Sequence, residues 1–368
     1  MVTPYEQGVY RGKSEVESIR HTLDEMASIQ NFFEIQKKES PDMEALVKYI
    51  PKRYQEELKG IAEGSGFPEE RIFALNSLFY VLRMFSEGCT SFIIPGTRTE
   101  SGGNLLMKNR DLGFRRLNPQ VCAYSRLDGL NAFIGVVNGG CINWYQGVNE
   151  KKLAVFNNHT PSPKFEEGIP IPVLLRRMLE ECDDVEEALG LIKKNRINGG
   201  SNVFLGDTER TVVVELKSGY PPYIWNITKP DCRANHYIFH DNPKQVTERD
   251  YLLKQQTLTR YERGKQLLAQ CEKIGVSKMQ GFSRDHAHGP GSSSICRHIV
   301  FIGTPMSKLM SSSTISSQIF DLSETLVTYV ALGQPCGSEF HKIKFGDEIP
   351  KELRSGDVWL KNQKSPNG

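Results

Sequence analysis

The chain changes texture at Cys89. Before it, apolar residues recur at helical spacing, and after it short β-type runs alternate with turn signals. Ser14 reads as the N-cap of a helix over Glu15–Met26, with Val16, Ile19, Leu23 and Met26 on one face. Met43–Ile50 and Arg53–Ala62 continue this helical leader, which breaks at Pro51 and stops at Gly64. Pro68, Glu69 and Glu70 make a proline and acidic first turn for a helix carrying Ile72, Phe73, Leu75, Leu78, Phe79 and Leu82. Its end is expected near Ser86-Glu87-Gly88.

CTSFII opens the strand region, turns are marked by Pro95-Gly96 and Gly102-Gly103-Asn104, and NLLMKNRDLG follows as a partner strand. Further strands are expected over Phe133–Val137, Leu153–Phe156, Asn202–Leu205, Thr211–Leu216, Tyr237–Phe239, Thr314–Phe320 and Leu326–Ala331. Helices are expected over Ile171–Cys182, Asp184–Lys194 and Arg249–Ile274. Strand groups alternating with helices on one core make an α+β domain of layered antiparallel sheets. The expected division is a helical leader over 1–88, a catalytic domain over 89–350 and a disordered polar tail over 351–368.

At 368 residues the chain has ample length to bury a core. Its 46 basic and 44 acidic residues leave a formal charge of +2, with no block concentrating the positive side, which argues against nucleic acid or an anionic membrane surface as partner. No stretch approaches the roughly 18 apolar residues of a spanning helix, and MVTPYEQGVYRGKSE has no apolar signal region. Eight singly scattered cysteines then read as reduced thiols, and SPNG at the end lacks a peroxisomal tripeptide. A soluble, cytoplasmic protein is expected.

Gly88-Cys89 stands at the switch from helix to strand. Without a Cβ, Gly88 leaves its carbonyl open to attack by the neighbouring thiol, giving a thioester that water opens. The new chain would begin at Cys89, with a thiol and a free α-amine on one residue. Their unperturbed pKa values are about 8.5 and about 8, so the amine is a base suited to take the thiol proton and later to return one to a leaving amine. Taken alone, Gly-Cys far more often marks an ordinary buried cysteine on a strand.

Six segments in order add to that dipeptide: GCTSFIIP, MKNRDLGF, GVNEKKLAVFNN, RANHYIF, SSSICRH and VALGQPC. With them the chain resembles the isopenicillin N acyltransferase-like peptidases, relatives of the penicillin-forming acyl-coenzyme A acyltransferase and, more distantly, of choloylglycine hydrolases and acid ceramidase. The resemblance runs from TPYEQG to about Cys336. It implies a four-layer αββα N-terminal-nucleophile sandwich, autocatalytic cleavage between Gly88 and Cys89, and amide cleavage or acyl transfer through a thioester. By the same resemblance Cys89 is the nucleophile, Asp111 holds its α-amine, Asn235 donates to the developing oxyanion and Arg297 orients the aspartate or the substrate. Asn158 is a second polar contact to the reacting carbonyl, with Asn157 one residue away on the other face of a strand. Lys108 occupies the place where choloylglycine hydrolases have an arginine and the penicillin-forming enzyme a glutamine.

Asp285, His286, His288, Cys296 and His298 are metal-ligand residue types, but no C-x-x-C pair accompanies them, so no metal is expected. GPGSSS lacks the lysine and helix of a phosphate loop, and no cofactor is expected. The terminal amine makes His159 and His236 unnecessary as bases. The expected partners are a small-molecule amide or acyl thioester and the chain's own cleaved leader. Two other readings stand beside this one. One is a papain-like cysteine hydrolase that works uncut, with Cys89 near a helix N-terminus. The other is an unprocessed binding protein.

Overall fold

The computed structural model describes residues 2–28, 48–82, 87–113, 119–162, 167–240, 248–299 and 312–362. The leader forms α1 (Pro4–Ser14), α2 (Val16–Ser28), α3 (Lys52–Ser65) and α4 (Glu69–Leu82). No helix was expected before Glu15, yet Thr3 and Glu6 close a capping box around Pro4 and start α1, so Ser14 ends a helix instead of capping one. The expected Met43–Ile50 helix falls over 43–47 outside the described residues, and 48–50 are turn and bend. The predicted end of the last leader helix at Ser86 also lies outside them.

Helices α1 and α3 touch backbone to backbone. A methyl group at Gly8 would run into the Glu57 carbonyl, one at Gly12 into that of Ile61, one at Gly60 into that of Tyr5 and one at Gly64 into that of Val9. Gly60→Val is expected to lower stability by about 1–3 kcal/mol through overpacking, since the helix propensity regained over glycine is only a few tenths of a kcal/mol. Urea unfolding measures this, and an unchanged midpoint would show that the seam tolerates separation.

The body continues with β1 (Glu87–Ile94), β2 (Leu105–Leu112), β3 (Gln120–Ser125), β4 (Phe133–Asn138), β5 (Gln146–Asn149) and β6 (Ala154–His159). Next come β7 (Ile169–Pro170), α5 (Ile171–Glu181), α6 (Val185–Lys194), β8 (Ile197–Asn198), β9 (Gly200–Gly206), β10 (Thr211–Lys217), β11 (Tyr223–Asn226) and β12 (Asp231–Arg233). Helices α7 (Glu248–Ala269) and α8 (Val276–Ser283) precede β13 (His298–Ile299), β14 (Ser312–Asp321), β15 (Val327–Leu332), β16 (His341–Lys344), α9 (Lys351–Ser355) and α10 (Asp357–Asn362). One seven-stranded sheet has the order β12-β1-β2-β14-β15-β16, with β13 paired to β14. The other has the order β11-β10-β9-β6-β5-β4-β3. Every pairing within these two sheets is antiparallel.

Alternation along β1 shows how the layers stack. Phe92 and Ile94 point to a cluster shared with Leu268 of α7 and with Met279 and Phe282 of α8. Ile93 points the other way, into the cluster between the sheets, where Phe156 stacks on Phe204 at 4.7 Å and on Phe320 at 5.7 Å between ring centroids. The outer face of the second sheet packs on the leader and on α5 and α6 through residues such as Ile61, Leu75, Leu174, Val155 and Val212. The result is the expected αββα sandwich.

Three expectations are corrected. The tail predicted over 351–368 is helical over 351–362, because Leu353 and Trp359 are apolar enough to bury fully in the inter-sheet cluster; 363–368 lie outside the described residues. Tyr237–Phe239 is not a strand, since the Glu215 carboxylate takes the backbone N–H groups of Ile238, Phe239 and His240 in place of a ladder. The helix expected to reach Ile274 ends at Ala269.

Candidate active site

In the ladder between β1 and β2, Gly88 faces Asp111 and Cys89 faces Arg110. Strand alternation therefore divides the site between the two faces of one sheet. Gly88, Thr90 and Asp111 look toward α7, whereas Cys89, Ser91, Lys108 and Arg110 look toward the second sheet. Cys89 is only 4 % exposed and Asp111 is fully buried.

Pairing of β12 with β1 sets Arg233 opposite Ser91, so two residues further along the chain Asn235 arrives beside Cys89. There the Asn235 side chain replaces the ladder: its Oδ1 accepts from the Cys89 backbone N–H at 2.9 Å, and its Nδ2 donates to the His159 carbonyl at 2.8 Å. Arg260 of α7 settles the amide's orientation. Its guanidinium can only donate, and Nη2 gives a 2.8 Å bond to the same Oδ1. The amide so placed turns its oxygen to Cys89, whereas the resemblance assigned it as a donor to the oxyanion.

Arg260 Nη1 donates to the Cys89 carbonyl at 2.6 Å and to Thr90 Oγ1 at 2.8 Å. Burial and the nearby Arg297 cation lower its pKa to about 10. No sequence pattern singled it out. Its only trace is that Thr257, Arg260 and Gly264 share one face of α7; Thr257 Oγ1 accepts from the Asn235 N–H at 2.6 Å, and a methyl group at Gly264 would strike Cys232. Knowing that this helix face meets β1 requires the fold.

Asp111 Oδ1 accepts from Thr314 Oγ1 at 2.7 Å, and Thr314 Oγ1 in turn accepts from the Arg297 N–H at 2.9 Å. Oδ2 has no hydrogen-bond partner and stands 3.6 Å from Arg297 Nη1 and 4.0 Å from Arg260 Nη1. Gly88 completes this face by absence: a Cβ there would overlap Arg297 Nη1 and lie 3.0 Å from Asp111 Oδ2. Two guanidinium groups and one carboxylate leave the surroundings of this peptide bond cationic, which favours a thiolate or a carboxylate.

On the opposite face Lys108 Nζ donates to the Tyr145 carbonyl at 3.2 Å and to Asn157 Oδ1 at 3.3 Å. Arg110, which the sequence reading passed over, bonds Asn138 Oδ1 at 2.7 Å and lies over the Tyr145 ring at 4.2 Å. Asn158 joins the two sheets, accepting from Ser91 Oγ at 2.7 Å and donating to the Arg233 carbonyl at 2.9 Å. The structure thus gathers Gly88, Cys89, Asp111, Asn235 and Arg297 around one peptide bond, with Lys108 and Asn158 on the inter-sheet side. Cys89 lies within a strand, unlike the helix N-terminal cysteine that the papain-like reading requires.

The profile of acyl-coenzyme A:6-aminopenicillanic acid acyl-transferase matches residues 98–333, well over half of the chain. The chain belongs to this acyl-transferase family. The description of that family is of an acyl-transferase. The matched segment of this chain contains Lys108, Asp111, Asn158, Asn235, Arg260 and Arg297, and it begins after Cys89. A curated relative, Protein dcd1A of Dictyostelium discoideum, is 28 % identical over 164 residues, 39 % of this chain and 35 % of that protein. The alignment spans about a third of that relative's length. Among solved structures, a mutant conjugated bile acid hydrolase from Clostridium perfringens is similar at 14 % identity and a TM-score of 0.48, covering 71 % of this chain and 93 % of its own. An ortholog of N-acylethanolamine-hydrolyzing acid amidase from Caenorhabditis elegans follows at 12 % and 0.41, covering 64 % and 93 %. Among the described residues, no helix is long and apolar enough to cross a membrane.

Proposed function

We propose that the chain is a self-processing cysteine N-terminal-nucleophile amidohydrolase or acyltransferase, cut between Gly88 and Cys89 and carrying acyl groups as a thioester on Cys89. What carries this reading is convergence on the two peptide groups that flank the Cys89 Cα. Gly88 makes room for Arg297 and Asp111, the Cys89 nitrogen rests on Asn235, and the Cys89 carbonyl rests on Arg260. In processing, the Cys89 sulfur attacks the Gly88 carbonyl carbon. A C–S bond forms, the C–N bond breaks, and the thiol proton passes to the departing Cys89 nitrogen. Water then opens the thioester, leaving a carboxylate on Gly88 and restoring the thiol.

The freed α-amine becomes the base for later acyl transfers. Asn235 Oδ1, already bonded to that nitrogen, holds it beside the sulfur before and after the cut. Asp111 Oδ2, buried without a hydrogen bond, supplies the acceptor that an ammonium group at this place needs. Arg297 and Arg260 favour the anions formed on either side of the cut, and Lys108 and Asn158 flank the sulfur's face of the sheet. Residues 1–88 remain bound as the smaller chain, and the substrate is a small-molecule amide or acyl thioester.

Amino-terminal sequencing of the active protein should find Cys89 as the first residue of the larger chain. An active protein still intact across Gly88–Cys89 would overturn the proposal in favour of a cysteine hydrolase that works uncut. Replacing Asn235 separates the two roles open to it. Asn235→Ala should slow the chemical step by about 10²–10³, as losing one polar group aimed at reacting atoms does, with little change in melting temperature. Asn235→Asp keeps the acceptor and should retain most of the rate. If it is as slow as the alanine variant, the amide works as a donor and the nitrogen-holding role fails.

A further inference from the structure

Beyond the site at Cys89, the connection from α8 into β13 and the turn after β15 bring four metal-ligand side chains to one point. His286 follows α8, Cys296 and His298 lead into β13, and Cys336 lies in the turn after β15. One ligand atom from each lies within 4.8 Å of all the others. His298 Nε2 stands 3.4 Å from Cys296 Sγ and 3.2 Å from Cys336 Sγ, and the His286 and His298 rings meet at 4.9 Å between centroids. His286 Nε2 is buried and has no hydrogen-bond partner.

We propose that His286, Cys296, His298 and Cys336 form a structural zinc site that fixes the segment carrying Arg297. Tetrahedral zinc, with bonds of about 2.3 Å to sulfur and about 2.0–2.1 Å to nitrogen, sets its ligands roughly 3.3–3.8 Å apart. The separations here need only small rotamer changes to reach that geometry. Two thiolates and two imidazoles are also the donor set that selects zinc over magnesium or calcium. Each thiol gives up its proton to bind, so a Zn²⁺ ion with two Cys⁻ ligands leaves a neutral centre.

No C-x-x-C pair marks this cluster in the sequence. Its fourth ligand comes from a loop 38 residues beyond His298. Asp285 belongs elsewhere, paired with Arg263 at 2.7 Å, and His288 is exposed. The Cys-x-His spacing has a structural use. In an extended segment residues 296 and 298 point to one side and 297 to the other, so a metal holding Cys296 and His298 directs Arg297 toward Asp111 and Gly88. Exposure of Cys336 leaves an entry path for the ion.

The test uses the full chain, purified under reducing conditions without an affinity tag. Elemental analysis should find one zinc per chain. After exchange, Co²⁺ should give the intense ligand-field bands of a tetrahedral site together with thiolate charge-transfer absorption. Cys336→Ser, at an exposed position, should fold and bind Co²⁺ at least about tenfold more weakly, the lower end of what even an outer-shell change costs a metal site. Cys89→Ala should bind like wild type, which keeps this result independent of the nucleophile. No uptake of either ion would overturn the proposal. So would a Cys296–Cys336 disulfide, seen as a chain two hydrogens lighter, or equal binding by wild type, Cys336→Ser and His286→Ala.

Discussion

Cys89→Ala is expected to remain one uncut chain without turnover, whereas the wild type separates on denaturation into two chains divided between Gly88 and Cys89. On the proposed mechanism both losses have one cause, because the same sulfur would cut the chain and then carry the acyl group. Removing a catalytic nucleophile costs on the order of 10⁶ in kcat. Stability should change far less, since Cys89 contributes one small buried side chain. Gly88→Val offers a second route to the uncut state: its side chain would displace Arg297 while leaving the thiol in place. Denaturing mass spectrometry of the three proteins checks both variants. Full cleavage of Cys89→Ala would remove the sulfur from the processing step, and full cleavage of Gly88→Val would show that the Arg297 contact is not needed.

Glu57→Ala is expected to cost about 3–5 kcal/mol and to loosen the leader, because it removes the buried carboxylate that two buried guanidinium groups share and leaves each with one carboxylate partner. Glu57 accepts from Arg11 of α1 at 2.9 Å and from Arg176 of α5 at 2.5 Å, and all three side chains are at most 2 % exposed. Burial pushes the Glu57 carboxyl up, but Arg176 and Arg11 together hold it below the usual carboxylate range. Arg11 is also held by Glu15 at 2.8 Å and Arg176 by Glu180 at 2.7 Å, so the network ties leader to body. On the proposed cut at Gly88 this network, with the apolar contacts around Ile61 and Leu75, would retain the smaller chain. Glu56→Ala, which removes only an exposed partner of Lys59, is the control and should change stability by at most about 1 kcal/mol. Urea unfolding and size-exclusion chromatography check both variants. Equal midpoints would deny the network its role.

Local chemistry was enough to read the α+β layering, the passage from helix to strand close to Cys89 and about half of the strands, whereas short strands such as β3, β5, β11 and β12 were not expected. Val, Ile and Phe at two-residue spacing and leucines at helical spacing report their own conformation. The leader's first helix was also written locally, in Thr3-Pro4-x-Glu6, and passed unnoticed because only its cap marks it. Cys89 as candidate nucleophile, with Gly88, Asp111, Asn235 and Arg297 around it, is implied by a family resemblance that six short segments in order carry. What those segments do not contain is distance.

Only the tertiary structure decided which groups meet them. Arg260 reaches Cys89 because α7 crosses β1, and Cys336 joins His286, Cys296 and His298 because β15 brings its following turn beside β13. Tertiary packing also decided the orientation of Asn235, since a guanidinium that only donates must face the amide oxygen. The sequence by itself determined the kind of elements and the residue at the helix-to-strand switch, because backbone preference and apolar periodicity act over a few residues. Which charges share a buried space, and hence what Asp111 and Asn235 have left to offer, depends on contacts between residues from 22 to 203 positions apart. No local pattern encodes those contacts.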